Sequence, residues 1–166
     1  QLHTDAFSPY FAKGSIKNRI RLLIARATLP YADGIRVVSE RVKASLVNRY
    51  GGRIVLPRVI PIALPSDIPN PVALPEHAFP FALIAVARLE PEKRIEDIFA
   101  ALVIVKKKYP LVGLFIAGDG ARRTALMNRA RALRLESNVV FLGWRDDAWG
   151  LMQSAQALVE ASAYEG

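Results

Sequence analysis

The chain alternates short, continuously apolar runs with segments whose apolar residues recur at helical spacing. The second half does so most regularly. FALIAVA from Phe81 is followed by a stretch from about Ile95 with Ile98, Leu102 and Val105 turned inward. GLFIA from Gly113 then precedes a helical stretch over about 121–135, and NVVFLG from Asn138 precedes a short helix near 147–153 and the run ALVEA from Ala157. Runs that are apolar on both sides, rather than alternating, predict strands whose sheet is covered by helices on both faces, which is the setting of parallel strands. The fold class read from this order is α/β.

The first half carries the same alternation more sparsely. Ser15 is placed to cap a helix whose Ile16, Ile20, Leu23 and Ala27 share a face and which ends near Pro30. A short strand over 34–38 leads to Ser39, a second capping residue, before ERVKASLVNRY with Val42, Leu46 and Val47 as its stripe; Gly51 and Gly52 stop that helix. Another short strand lies within 54–62. Between Pro57 and Pro80 the chain holds seven of its 11 prolines, and proline neither donates to a sheet ladder nor tolerates helix interiors. The reading is therefore a partial domain over 1–62, a proline-rich crossing over 63–80, and a Rossmann-like parallel-sheet domain over 81–166.

Composition narrows the chemistry. With 52% apolar residues in 166, the chain can build a core; 23 Lys and Arg against 15 Asp and Glu leave a formal charge of +8, which suits anionic partners such as nucleotides, phosphates, nucleic acid or an acidic membrane face. No cysteine is present. That removes disulfides, thiolate zinc sites and cysteine nucleophiles. Two histidines, His3 and His77, leave no imidazole metal cluster. The longest apolar runs fall far short of the roughly 20 residues a bilayer span requires. The chain opens on Gln1 rather than Met, in what reads as the end of a strand or a loop, so a fragment of something longer is expected.

Candidate chemistry gathers where strands end, because doubly wound sheets hold ligands at the carboxyl ends of their strands. After the first strand of the second half comes ARLEPEKR, with Arg88 and Lys93; after the next comes Gly118-Asp119-Gly120 with Arg122 and Arg123; after the third, Gly143-Trp144; after the fourth, Glu165. Lys93 and Arg94 are read in the first turn of the following helix, where the backbone dipole disfavours cations, as are Arg122 and Arg123. A bound diphosphate would reverse that conflict, with Arg88 forking onto two oxygens and Lys93 acting as a point charge. Gly118 and Gly120 would let backbone approach such a ligand. The alternative is that Arg94, Arg122 and Arg123 solvate helix surfaces and the glycines make a tight turn. Neither a dinucleotide fingerprint nor a P-loop is present.

ARLEPEKR, LFIAGDGARR, VVFLGW and SAYEG, in this order on alternating strands and helices, resemble the donor domain of retaining GT-B glycosyltransferases of family four; HTD near the start and ADGIRVVSERVKASL resemble the end of that family's amino-terminal domain. The resemblance implies a nucleotide diphosphate sugar as donor, no metal, and transfer to a sugar, lipid-linked or other hydroxyl acceptor with retained anomeric configuration, in glycan, polysaccharide or glycolipid synthesis. It implies that Arg88 and Lys93 grip the diphosphate, that Glu165 faces the transferred sugar, that Gly118 and Gly120 with Arg122 belong to the donor loop, and that Trp144 lies by the nucleobase, where stacking and a core role are equally open. His3 matches a histidine near the acceptor. Residues 1–62 would then end an acceptor-side domain and 81–166 form most of the donor domain, with the two closing over a cleft; alone, this piece is expected to be inactive. The enzyme is expected in the cytoplasm, with peripheral contact to an anionic inner membrane face a further expectation. No specific nucleic acid is expected, because the basic residues are interleaved with acids and no stacking platform is visible. Alternatives are a non-catalytic nucleotide- or polyanion-binding module, or a phosphorylase or epimerase of the same architecture.

Overall fold

The computed structural model describes residues 16–62, 67, 69–76 and 78–163. They form two compact units, one within residues 16–62 and one within 67–162. Ser15, expected to cap the first helix, lies outside the described residues.

In the first unit, α1 (Ile16–Thr28) gives way to a single 3-10 turn at Leu29–Tyr31, where Pro30 removes a helix donor. Its expected stripe forms, but Ile16, Ile20 and Leu23 are all exposed. Strand β1 (Arg36–Val37) pairs in parallel with β2 (Arg58–Val59) across α2 (Glu40–Tyr50), a compact βαβ unit. Ser39 caps α2 as expected, its hydroxyl oxygen accepting from the Val42 N–H at 3.3 Å, and Gly51 at φ 55° ends it. Val42 and Leu46 pack onto Ile35 and Val37.

The second unit is a four-stranded parallel sheet in the order β5-β4-β3-β6: β3 (Phe81–Val86), β4 (Val112–Ala117), β5 (Val139–Gly143) and β6 (Ala157–Leu158). All six residues of β4 are buried, as its unbroken apolar run requires. Helices α3 (Ile95–Lys108) and α4 (Arg123–Ala132) cover one face, where Phe99, Leu102, Leu114, Ile116 and Leu126 form the core. The other face is covered by α5 (Ala148–Ser154) through Leu151 together with Val72, Leu74 and Phe79. Part of the proline-rich crossing therefore packs as a structural layer: the Val72 N–H donates to the Gly150 carbonyl at 3.0 Å and Gln153 donates to the Pro69 carbonyl.

Three local readings change. Val105 is 39% exposed rather than inward, because the last turn of α3 runs past the amino edge of the sheet. Helix α4 is shorter than 121–135: Arg134 takes a left-handed φ of 55° and the Leu135 N–H reaches back to the Ala130 carbonyl at 2.9 Å, a Schellman-type stop that buries Leu135. Helix α3 begins at Ile95, as its periodicity predicts, but Lys93 and Arg94 are not in its first turn. Lys93 closes a separate 3-10 turn, Pro91–Lys93, and Arg94 stands before the helix at φ 49°, so the first turn of α3 holds Glu96 and Asp97, the charges its dipole favours. The conflict inferred for Lys93 and Arg94 is absent, whereas α4 does start on cations, with Arg123 at its first position, Arg122 before it and no acid in its first turn.

Candidate functional site at the sheet switch point

The strand order fixes where a ligand can enter. From β3 the chain winds outward through β4 to β5, then returns to add β6 on the opposite side of β3. The crossovers after β3 and before β6 thus diverge, leaving a crevice at the carboxyl ends of these two strands, the switch point at which open α/β sheets bind ligands. A crevice of about 260 Å³ lies there, lined by Val86, Trp149, Met152, Leu158, Val159 and Glu160.

Beside one of its lining residues, Glu160, stands Lys93. Its side chain is only 18% exposed and its ammonium stands 3.4 Å from Glu160 Oε1, so the 3-10 turn after β3 aims this cation across the switch point toward the end of β6. Glu160 also accepts from the Ser162 hydroxyl at 2.9 Å. Arg88 leaves the same loop earlier and is 69% exposed; its guanidinium lies 3.7 Å from Glu92, four residues on. The two expected phosphate ligands therefore share one loop, each beside a carboxylate, with Lys93 the deeper.

The glycine loop after β4 packs on that loop. Gly118 has φ 144°, and a Cβ there would sit 1.9 Å from the Ala87 carbonyl oxygen; at Gly120 a Cβ would come within 2.7 to 2.9 Å of Leu89 backbone atoms. Leu89 N–H donates to the Asp119 carbonyl at 2.9 Å and Arg122 N–H to the Leu89 carbonyl at 3.0 Å. The close approach these glycines permit is thus between two loops of the protein, one of which carries Arg88. Arg122 donates to Glu96 on α3 at 2.5 Å, tying α4 to α3. Arg94, read as a solvated helix residue, pairs with Asp97.

Trp144 is not a core residue: it is 69% exposed, and its indole N–H donates to Asp146 at 2.9 Å. It stands past β5, two strand spacings from β3, or about 10 Å. Beside it Arg145 and Asp147 form a two-pronged pair at 2.5 and 2.7 Å. That hydrogen bonding raises the Arg145 pKa and holds the Asp147 carboxyl below its ordinary range. His3 and Glu165 lie outside the described residues. Among the described residues no group of three or more His, Cys, Asp or Glu is arranged to hold a metal ion.

Glu160 and Trp149 were missed in the sequence. Glu160 closes an otherwise apolar strand run, a signal that reads equally as a solvated strand end, and its partner Lys93 is 67 residues away.

Residues 73–166, more than half of the chain, match the family model of the group 1 glycosyl transferases. The chain belongs to this family. Its sequence is 36% identical to Mycobacterium tuberculosis glycogen synthase over 88 residues, covering 52% of this chain and 21% of that protein. It is 28% identical to the putative glycosyltransferase EpsD of Bacillus subtilis over 148 residues, 82% of this chain and 38% of EpsD. The chain thus spans well under half the length of both relatives. Among solved structures, S. aureus TarM superposes with a TM-score of 0.77 at 20% identity, over 99% of this chain and 32% of TarM. Anabaena HepE, solved with UDP and glucose, superposes with a TM-score of 0.77 at 22% identity, over 97% of this chain and 45% of HepE. The α/β fold of the chain is of the GT-B type.

Proposed function

We propose that the 67–162 unit is the donor-binding part of an enzyme that moves a sugar from a nucleoside diphosphate sugar to an acceptor hydroxyl with retained anomeric configuration, as in family four. The observation that carries this reading is Lys93, a shielded cation at the switch-point crevice of a glycosyltransferase sheet. A uridine diphosphate is the first donor nucleotide to test, since HepE was solved with UDP and glucose.

Departure of the diphosphate places negative charge on its leaving oxygen and leaves an oxocarbenium-like sugar. Cations fixed in advance lower that barrier most when they need no rearrangement as the charge develops. Lys93, its stem held against the protein, would meet the phosphate nearer the sheet, and Arg88, on the exposed part of the loop, would fork onto the other. Charge neutralisation is assigned to these two side chains and to no metal ion. A leaving phosphate oxygen would accept the proton of the attacking hydroxyl on the same face of the sugar. Glu165 would orient sugar hydroxyls, His3 would lie toward the acceptor, and Trp144 would offer its exposed ring to the base. Transfer to a sugar or lipid-linked acceptor at the cytoplasmic membrane face belongs to the same proposal; among the described residues no helix is long and apolar enough to cross a membrane.

Titration calorimetry of the full-length protein with UDP and GDP tests the reading. Arg88→Ala and Lys93→Ala each remove a charge-assisted contact, about 1.5 to 3 kcal/mol, so affinity should fall about tenfold to a hundredfold in either variant. Unchanged affinity in both would refute the site. Analysis of the product's anomeric configuration then decides between retention and inversion.

A further inference from the structure

Among the described residues, Glu160 is an acid that the sheet itself sets against a residue of the proposed donor site. Backbone pairing extends one residue beyond β6, the Val159 N–H donating to the Ile84 carbonyl at 2.8 Å, so Glu160 is anchored at the carboxyl edge of the sheet beside β3. Its carboxylate is 55% exposed, borders the crevice and accepts from the Ser162 hydroxyl while facing the Lys93 ammonium. Lys93 has little freedom to turn elsewhere, since its side chain is largely covered.

A diphosphate seated on Lys93 would bring its own negative charge within a few ångströms of that carboxylate. Two anions cannot share one ammonium without mutual repulsion. We propose that Glu160 is a positioning residue of the donor site: in the free protein it serves as the counter-anion that keeps Lys93 aimed across the switch point, and it gives up that ion pair to the phosphates when donor binds. This rests on the reading of Arg88 and Lys93 as diphosphate ligands. The exchange sets donor affinity, because each binding event must break the Lys93–Glu160 pair, and product diphosphate is released as the pair re-forms. The Arg88–Glu92 pair differs in kind: both partners belong to the loop after β3, and Arg88 is mostly in solvent.

The test is a double-mutant cycle on the full-length protein, titrated with UDP and with inorganic pyrophosphate at low and high salt. Glu160→Gln keeps the shape and the hydrogen bond from Ser162 but removes the charge. It should tighten binding of both probes about threefold to tenfold at low salt, less at high salt, and the gain should vanish in the Lys93→Met background. Glu160→Ala, measured alongside with a thermal melt, should show the same direction of change. A structural role alone would not produce a gain that depends on Lys93. Unchanged or weaker binding in Glu160→Gln, or an equal gain without Lys93, would overturn the exchange while leaving the donor site standing. Failure of the wild type and of Glu160→Gln to bind either probe would overturn the donor site itself, and the exchange with it.

Discussion

Gly118→Ala is the substitution whose consequence the structure states most fully. The added Cβ would lie 1.9 Å from the Ala87 carbonyl oxygen and 2.9 Å from its carbon. Side-chain carbons do not approach backbone oxygens closer than 3.0 Å, so the two loops must separate by about 1 Å or more. Two hydrogen bonds cross or flank the contact, Leu89 N–H to the Asp119 carbonyl at 2.9 Å and Gly118 N–H to the Gly143 carbonyl at 2.7 Å. Losing both costs about 1 to 3 kcal/mol. A φ of 144° in an alanine adds about 1 to 2 kcal/mol. The expected destabilisation is therefore about 2 to 5 kcal/mol, which at a urea m-value near 2 kcal/mol/M moves the midpoint by about 1 to 2.5 M. Trp144 and Trp149, the chain's two tryptophans, both sit in the 67–162 unit, so their fluorescence reports on it. Gly143→Ala, in the same unit and also at a positive φ of 71° but with nothing within 4 Å of the added Cβ, is the control and should cost only the backbone strain, about 1 to 2 kcal/mol. A shift in Gly118→Ala as small as the control's would refute the claim that this glycine holds the two loops together.

Asn138 is 2% exposed and donates from its amide to the Pro110 and Val112 carbonyls at 2.9 and 2.7 Å. Asn138→Ala leaves both acceptors unmatched and should destabilise by about 2 to 3 kcal/mol in the same urea assay. Arg94→Gly should do the opposite: it relieves a left-handed residue at φ 49° before α3 at the loss of one exposed ion pair, and a net gain of up to about 1 kcal/mol is expected in thermal melts.

The layering of the second unit was legible because β3, β4 and β5 are unbroken apolar runs, a pattern only a doubly covered sheet requires. Ser39 and Gly51 likewise marked the ends of α2 by local chemistry. What escaped was set by geometry between distant residues. Periodicity placed the start of α3 at about Ile95, as observed, but not the 3-10 turn at Pro91–Lys93 and the left-handed Arg94 that keep Lys93 and Arg94 out of its first turn. The packing of Gly118 and Gly120 on the loop that carries Arg88 follows from the fold and has no signal in the local sequence. The placement of Lys93 depends on β6 returning to the near side of β3, and the exposure of Trp144 on a turn that leaves the sheet after Gly143. The stripe of α1 was read correctly as a stripe, yet its residues are exposed.

A crystal structure of the full-length protein with UDP bears on the central claim most directly. The account predicts diphosphate oxygens within hydrogen-bonding distance of Lys93 Nζ at the carboxyl ends of β3 and β6, with the guanidinium of Arg88 turned from Glu92 onto the same group. A diphosphate bound elsewhere, for instance in the apolar groove of about 740 Å³ lined by Phe81, Leu83, Tyr109 and Leu111 at the opposite edge of the sheet, with Lys93 still on Glu160, would contradict it.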